Sequence, residues 1–259
     1  MKRVFSRGTD AGAASIGAGV FGREMELDEL RVRTLQRKSF LCHGPAGVGK
    51  TLLLSLTVVE SAGVLYSPAA GTPQELYKNV ASALFAVNSR LFTKACPGGI
   101  ASLDSKSVVA LRGIVRDALR ATSYVVILDH MQRPSQTLTA SVRELMLDCS
   151  VPVVSVSRSD HMEDAGFVLP LYPDRSDRMS VQNFDSQAAQ QFAHWCARKE
   201  QLEAANLDQF LETTAKQSKG NPGAIKRMIQ MAKLPKYVSA GQIKSALLYI
   251  DFRIAGISQ

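Results

Sequence analysis

The sequence is poor in the residues that build metal sites and disulfide frameworks. It has four cysteines and four histidines among 259 residues, and no two cysteines stand in Cys-x-x-Cys spacing. A structural metal site is therefore not expected, and the scattered thiols favour a reducing compartment. No apolar run approaches the length of a membrane span, and the first residues, Met1–Phe5, lack the apolar core of a signal peptide. No internal repeat is visible, and we expect a soluble protein of the cytoplasm.

The composition allows a sizeable core and carries an excess of positive charge. Hydrophobic residues make up 46% of the chain, which is enough for one large domain or two unequal ones. The 31 Lys and Arg residues outnumber the 23 Asp and Glu residues and give a formal net charge of +8. This charge favours an acidic partner such as nucleic acid, although many soluble proteins are mildly basic.

One motif dominates the sequence, a complete phosphate-binding loop of the form G-x-x-x-x-G-K-[ST]. It consists of Gly44, Pro45, Ala46, Gly47, Val48, Gly49, Lys50 and Thr51. Glycines let the backbone curl and turn its N–H groups toward phosphate oxygens. Lys50 would reach the β- and γ-phosphates, and the Thr51 hydroxyl would ligate Mg²⁺. A chance Gly-rich turn is disfavoured, because a strand-like run precedes the loop and a helical stretch follows it, so we expect a nucleotide-binding protein.

Strand-like and helical segments alternate along most of the chain. The strand-like runs lie at 39–43, 63–68, 124–129 and 151–156, and the helical patterns at 24–35, 52–59, 72–91, 105–121 and 138–147. This alternation predicts an α/β fold, a parallel P-loop NTPase sheet flanked by helices. Only helical patterns follow, at 188–198, 207–217, 222–232 and 240–250, and they predict a small all-helical domain. We therefore expect a flexible lead-in over 1–19, an α/β domain over 20–182 and a helical domain over 183–259.

A carboxylate ends the most apolar of the predicted strands. Tyr124–Leu128 is a continuous apolar run, typical of a central parallel strand, and Asp129 follows it. Beside a phosphate loop, this carboxylate would hold Mg²⁺ opposite Thr51, directly or through water. Many ATPases place a second acidic residue next, to polarise the attacking water, but this chain has His130. Either the imidazole accepts a proton, or His130 is only a polar strand-end residue, and we expect hydrolysis to be slow or absent.

The next predicted strand also ends in polar residues. Ser157 and Arg158 follow the run at 151–156, which should lie beside the strand that ends in Asp129. Because a guanidinium group matches phosphate geometry, Arg158 is a candidate to contact the γ-phosphate. The alternative is that Arg158 is an ordinary surface residue.

Four segments resemble motifs of AAA+ ATPases of the origin-recognition type and of the related STAND signalling ATPases. Residues 20–27, Val-Phe-Gly-Arg-Glu-Met-Glu-Leu, resemble the h-G-R-E-x-E-L box that precedes the phosphate loop. Residues 156–158, Val-Ser-Arg, resemble the T-T-R or T-S-R strand end of STAND proteins, with Val in place of the first hydroxyl residue. Residues 219–225, Lys-Gly-Asn-Pro-Gly-Ala-Ile, resemble the G-N-P-x-x-I/L motif of the helical lid, and residues 184–188 resemble the motif that begins the lid. The resemblance runs from about residue 20 to residue 250, and His130 departs from the family pattern.

The resemblance implies an ATPase with ATP and Mg²⁺ as cofactors. Gly22 and Arg23 would shape the adenine pocket, and Pro222 would close the lid over the nucleotide. Lys226 or Arg227 would sense phosphate from the lid. An arginine from a neighbouring subunit would complete the site, and Arg175 and Arg178 are candidates by position only. With the motifs described above, the candidate catalytic residues are Lys50, Asp129, His130 and Arg158, and the candidate metal ligands are Thr51 and Asp129.

Three functions are compatible with these motifs. The first is an oligomerising AAA+ ATPase that acts on DNA and recruits a protein partner. It is favoured by the net charge and by a basic run in the lid, which is otherwise a solvated face. The second is a STAND-like switch that acts through a partner protein without DNA, and the third is a small-molecule kinase, for which no substrate-binding insertion is recognisable. We expect the first; its basic run comprises Lys216, Lys219, Lys226, Arg227, Lys233, Lys236 and Lys244.

Overall fold

The computed structural model describes residues 21–61, 63–88, 90, 96 and 98–257. The lead-in predicted over 1–19 and the first residue of the h-G-R-E-x-E-L box, Val20, lie outside the described residues. The chain divides into two compact units. The first comprises Met1–Gly44 and Lys50–Ser180, and the second comprises Pro45–Gly49 and Val181–Gln259.

The first unit is built on a five-stranded parallel sheet. Its strands are β1 (Phe40–His43), β2 (Val64–Ser67), β3 (Val125–Leu128), β4 (Val153–Ser157) and β5 (Arg178–Ser180). They lie in the order β2-β3-β4-β1-β5, and every pairing is parallel. All their carboxyl ends therefore meet at one edge, which is where ligands bind in such sheets. The predicted α/β class with a parallel P-loop sheet is confirmed.

Helices flank this sheet. They are α1 (Glu24–Leu35), α2 (Lys50–Glu60), α3 (Pro73–Val87), α4 (Val108–Arg120), α5 (Gln136–Leu147) and the short α6 (Met162–Ala165). The start of α3 follows from a capping box, in which the Thr72 hydroxyl accepts from the Glu75 N–H and the Glu75 carboxylate accepts from the Thr72 N–H. The helix predicted from residue 105 begins later, at Val108, because Ser107 caps it and residues 100–105 form a 3₁₀ helix.

The core of the first unit lies between the sheet and helices α3, α4 and α5. Apolar residues recur on the inner faces of these helices at spacings of three and four, as the sequence pattern predicts. They pack against strand residues that are almost completely buried. The main contributors are Leu65, Leu76, Val80, Leu111, Val115, Val126, Leu128, Leu138 and Val142. This packing fixes the strands whose ends carry the polar residues discussed below.

The second unit is mainly helical. Its helices are α7 (Ser186–Lys199), α8 (Leu207–Gln217), α9 (Pro222–Ala232) and α10 (Ser245–Ile257), and their core includes Ala193, Phe210, Ile225, Ile229 and Leu248. The structure adds a two-residue antiparallel pair, β6 (Val238–Ser239) and β7 (Gln242–Ile243). The helix predicted at 240–250 begins at Ser245 because Ala240 and Gly241, both with positive φ, turn the chain between these strands.

Candidate functional site

The phosphate loop follows β1 and runs into α2, so strand, loop and helix come in the predicted order. Gly47 and Gly49 have φ of 78° and 104°, values that side chains other than glycine rarely adopt. Lys50 is the first residue of α2, and its Nζ donates to the Gly44 carbonyl oxygen at 2.5 Å. Burial lowers the pKa of the Lys50 ammonium. A partly desolvated cation at a helix start is well placed to attract phosphate.

Asp129 lies at the carboxyl end of β3 and is almost completely buried. Its Oδ2 accepts a hydrogen bond of 2.9 Å from the Thr51 hydroxyl, and its Oδ1 accepts one of 2.8 Å from the His130 N–H. The structure therefore brings together the two residues that the sequence analysis names as metal ligands. A hydroxyl oxygen beside a carboxylate is a donor set that suits Mg²⁺.

Tyr66 also belongs to this group, although no sequence motif points to it. Its hydroxyl donates to Asp129 Oδ2 at 2.8 Å. The parallel register places Tyr66 beside Ile127, two residues before Asp129, so the phenol reaches along the sheet edge to the carboxylate. Burial raises the pKa of Tyr66, and the hydrogen bond to Asp129 raises it further. The signal in the sequence was a tyrosine at the end of a strand, which becomes informative only when β2 is known to lie beside β3.

His130 has a left-handed backbone, with φ of 55°. Histidine is among the side chains that tolerate this region better than most. Its Nε2 lies 3.5 Å from the Thr51 hydroxyl oxygen and 3.5 Å from Asp129 Oδ2. Its side chain is about half exposed, at 53%. The imidazole thus points toward the Thr51–Asp129 pair.

Ser157 and Arg158 lie where the strand pairing was expected to put them, because β4 lies directly beside β3. The Ser157 hydroxyl donates to the Ser159 carbonyl oxygen, which fixes the turn after the strand. Arg158 is exposed. Burial lowers the pKa of the Lys50 ammonium most, and the positive charge of Arg158 adds to this lowering. A contact between Arg158 and the γ-phosphate stays a prediction.

The residues proposed for the adenine pocket lie just before α1. Gly22 has φ of 61°, and the buried Arg23 side chain pairs with Glu26 at 2.5 Å. This ion pair fixes the first turn of α1. A role in adenine binding stays a prediction for both residues.

In the second unit, the lid motif is hydrogen-bonded to the backbone of residues 45–49. Asn221 caps α9 by accepting from the Ala224 N–H, and its Nδ2 donates to the Ala46 carbonyl oxygen at 2.9 Å. The Gly223 N–H donates to the Gly47 carbonyl oxygen at 2.9 Å. A Cβ on Gly223 would lie 2.9 Å from both the Cα and the carbonyl oxygen of Gly47. Pro222 is the first residue of α9. The close approach to Gly47 explains why the next residue, Gly223, is a glycine.

The arginines proposed to serve a neighbouring subunit differ in their surroundings. Arg178 lies in β5 and donates to the carbonyl oxygens of Tyr172 and Pro173, so it is held by its own chain. The expectation that Arg178 reaches another subunit does not fit these contacts. Arg175 is exposed. In the lid, Lys226 is exposed, and the Arg227 guanidinium lies 5.8 Å from the centre of the Phe252 ring.

Ion pairs divide the basic run of the second unit into two sets. Lys233 pairs with Glu200 and Lys236 pairs with Asp251, each at 3.0 Å. Lys233 and Lys236 are nevertheless exposed. Among the described residues, no ion pair is formed by the four other lysines of the run, which are also exposed, namely Lys216, Lys219, Lys226 and Lys244. Within the described part of the chain, no helix is long and apolar enough to cross a membrane.

Comparisons with known proteins bear on the family and the fold of the chain. Residues 33–163, just over half of the chain, match a family model described as an AAA domain. A search of curated proteins found no match. Among solved structures, the Walker-type ATPase PABY2304 of Pyrococcus abyssi gives a TM-score of 0.62 at 16% identity, covering 92% of this chain and 74% of that one.

Two further structures have longer chains. The ORC1 protein of Aeropyrum pernix, solved in complex with DNA, gives a TM-score of 0.59 at 16% identity, covering 92% of this chain and 66% of that one. A STAND protein of Pyrococcus horikoshii with a tetratricopeptide repeat sensor, PH0952, gives 0.53 at 13% identity, covering 92% and 33%. At these identities the likeness establishes the fold, and the chain spans only about two thirds and one third of these two proteins.

Proposed function

The chain belongs to the AAA domain family of P-loop ATPases, and on that premise we propose that it is an ATP-controlled switch that oligomerises, acts on DNA and recruits a protein partner. The observation that carries the nucleotide part is the hydrogen bond between Thr51 and Asp129 beside a complete phosphate loop. This pair offers a hydroxyl and a carboxylate oxygen at the place where the loop would hold phosphates.

In this proposal the residues of the loop have separate tasks. The loop from Gly44 to Thr51 cradles the phosphates with the backbone N–H groups of its residues other than Pro45, and Lys50 contacts the β- and γ-phosphates. Thr51 and Asp129 hold Mg²⁺, which neutralises negative charge on the phosphates when it is bound. Arg158 contacts the γ-phosphate, and Gly22, Arg23 and Pro222 contact the adenosine. We assign these residues to an ATPase domain over 20–182 and a lid over 183–259.

Hydrolysis should be slow in this chain. The position after Asp129 holds His130 rather than a carboxylate, so the acidic group that many ATPases use to polarise water is missing there. The test compares ATP turnover in the wild type, Lys50→Ala and His130→Glu, with and without DNA. A higher rate in His130→Glu supports the proposal, and an unchanged rate removes His130 from it.

The lid motif supports the switch. Within the second unit, Asn221 and Gly223 bind carbonyl oxygens of the loop at Ala46 and Gly47. A change in loop backbone on phosphate binding would therefore alter hydrogen bonds of the lid motif. Light scattering with ATP, ADP or no nucleotide tests the expected self-association. Lys50→Ala should remain in its nucleotide-free state throughout.

Charge supports DNA as the partner. The net charge is +8, and the exposed lysines of the lid are available for a phosphate backbone. The ORC1 protein with the same fold was solved bound to DNA. Fluorescence anisotropy should show DNA binding that requires ATP and weakens with salt.

A matched pair of variants sharpens this test. Lys216→Ala/Lys219→Ala removes two exposed charges, whereas Lys233→Ala/Lys236→Ala removes two charges that are already in ion pairs. The first double variant should lower DNA affinity and reduce the salt dependence more than the second. Equal effects, or binding that ignores ATP, would contradict a nucleotide-controlled DNA contact.

The alternative is a STAND-like signalling switch that acts through a partner protein without DNA. It is favoured by the fold shared with the STAND protein PH0952 and by the Ser157–Arg158 strand end. Affinity purification after nuclease treatment distinguishes the two, because a stoichiometric protein partner without DNA binding fits only the alternative.

All four cysteines are buried free thiols, and we place the protein in the cytoplasm.

A further inference from the structure

We propose that His130 is a third ligand of the cation held by Thr51 and Asp129, and that it makes the site prefer a first-row transition metal ion to Mg²⁺. The inference rests on the function proposed above, because the cation is expected to bind together with the nucleotide. It assigns to His130 a role that neither a general base nor a plain polar residue would have.

The positions of three atoms carry the inference. The Thr51 hydroxyl oxygen and Asp129 Oδ2 lie 2.9 Å apart, and His130 Nε2 lies 3.5 Å from each of them. The point in their plane equidistant from these three atoms lies about 1.9 Å from each, and a small displacement out of the plane brings the distance to about 2.1 Å, the length of a metal–ligand bond. The three atoms can therefore share one cation without large movements.

One hydrogen bond must change for both oxygens to ligate the cation, and others orient the site. The Thr51 hydroxyl would turn its hydrogen away from Asp129 Oδ2 and present a lone pair to the cation. Tyr66 donates to the same carboxylate oxygen and would orient it. Asp129 Oδ1 accepts from the His130 N–H, so the carboxylate also fixes the backbone that carries the imidazole.

The backbone of His130 is an independent sign of a built arrangement. A non-glycine residue with φ of 55° is uncommon, and here it directs the ring toward Thr51 and Asp129. In the described residues, no three His, Cys, Asp or Glu side chains form a metal-sized cluster. The site thus needs the Thr51 hydroxyl, and phosphate oxygens of a nucleotide would fill the remaining positions.

The donor atoms determine the preferred metal. Hard oxygen ligands suit Mg²⁺, whereas an imidazole nitrogen favours transition metals, with affinity rising from Mn²⁺ through Co²⁺ to Ni²⁺. One nitrogen among oxygen ligands should therefore raise the affinity of the site for these ions relative to its affinity for Mg²⁺. A ligating nitrogen has no lone pair left to accept a proton, so ligation and general-base catalysis are exclusive roles for Nε2.

Electron spin echo spectroscopy of bound Mn²⁺ tests ligation directly. The protein is labelled with ¹⁵N-histidine and loaded with Mn²⁺ and a non-hydrolysable ATP analogue, so that nitrogen coupling from imidazole is distinguished from adenine nitrogen. We expect ¹⁵N coupling in the wild type and in His161→Ala, which removes another exposed histidine of the first unit. We expect none in His130→Ala.

Calorimetry of nucleotide binding with Mg²⁺, Mn²⁺, Co²⁺ and Ni²⁺ tests the preference. The compared quantity is the dissociation constant of the nucleotide with Mg²⁺ divided by its dissociation constant with Co²⁺. This ratio should fall about tenfold or more in His130→Ala. His130→Gln, which offers an amide oxygen instead, should bind with Mg²⁺ at least as well as the wild type. Thermal unfolding of each variant without nucleotide confirms that it is folded.

The outcomes separate this inference from the proposed function. If the nucleotide binds with Mn²⁺ but no histidine nitrogen couples to it, ligation by His130 is wrong and the ATP switch stands. If no cation supports nucleotide binding in the folded wild type, the proposed function fails, and the inference fails with it. Histidine coupling that persists in His130→Ala would also overturn the assignment.

Discussion

Replacing Tyr66 by Phe removes one hydroxyl from the candidate site and leaves the ring in place. The Tyr66 hydroxyl donates to Asp129, whose carboxylate is 1% exposed. A buried carboxylate that loses a donor cannot replace it with water as easily as an exposed one can. Tyr66→Phe therefore tests whether the sheet edge holds the carboxylate in the way the structure shows.

The expected magnitude follows from the charge on the acceptor. A hydrogen bond to a charged group contributes about 1.5–3 kcal/mol to stability, and Asp129 keeps two other donors, the Thr51 hydroxyl and the His130 N–H. We expect the free energy of unfolding to fall by about 1.5–2 kcal/mol, toward the lower end of that range. Tyr124→Phe is the matched control, because Tyr124 lies immediately before β3 in the same unit. It should change stability by less than about 0.5 kcal/mol.

Urea unfolding over a range of pH provides the assay. Because the pKa of Tyr66 is raised above its ordinary value of 10.0, its contribution is fully present below pH 10 and is lost as pH rises beyond that value. The difference between the wild type and Tyr66→Phe should thus be constant from pH 7 to pH 9 and shrink at higher pH. Combining Tyr66→Phe with Asp129→Asn should give a non-additive result. Additive effects, or a loss no larger than that of Tyr124→Phe, would refute the reasoning.

Three other predictions concern the loop, the lid motif and a helix cap. Lys50→Met should abolish ATP binding measured by calorimetry, yet the nucleotide-free variant should melt at the same temperature or higher, since burial of the ammonium lowers its pKa. Gly223→Ala should lower the free energy of unfolding, measured with a chemical denaturant, by about 1–3 kcal/mol, because the new Cβ would lie 2.9 Å from Gly47 backbone atoms. Gly113→Ala is the control, because Gly113 lies in a helix with open space around it, and it should raise the same free energy by up to about 1 kcal/mol. Thr72→Ala removes the capping box and should lower the free energy of unfolding by about 1 kcal/mol. A decrease below about 0.3 kcal/mol would contradict this prediction.

Much of the fold was predictable because its signals are local. The buried strands β1 to β4 are short apolar runs, and α3 begins at a capping box that is visible in the sequence. The strand β5 was missed because Arg178–Ser180 has three residues and only one of them is apolar. Its place in the sheet comes from pairing with β1, which is a contact between distant parts of the chain.

The candidate site divides in the same way. The loop motif and Asp129 were recognised from residue types at fixed spacing, whereas Tyr66 and Gly223 depend on contacts that no local pattern encodes. Tyr66 matters because β2 lies beside β3, and Gly223 matters because it approaches Gly47 too closely for a side chain. The orientation of His130 depends on a backbone angle that sequence reasoning did not anticipate.

The division of the chain has a practical consequence for dissecting it. Residues Pro45–Gly49 cluster with Val181–Gln259, although Gly44 and Lys50 on either side of them belong to the first unit. A fragment that starts at Val181 would lack the carbonyl groups that accept from Asn221 and Gly223. A fragment that stops at Ser180 would leave the same carbonyl groups without these donors. Each half expressed alone would thus be a poor guide to the binding behaviour of the intact chain, and point substitutions are the better tool.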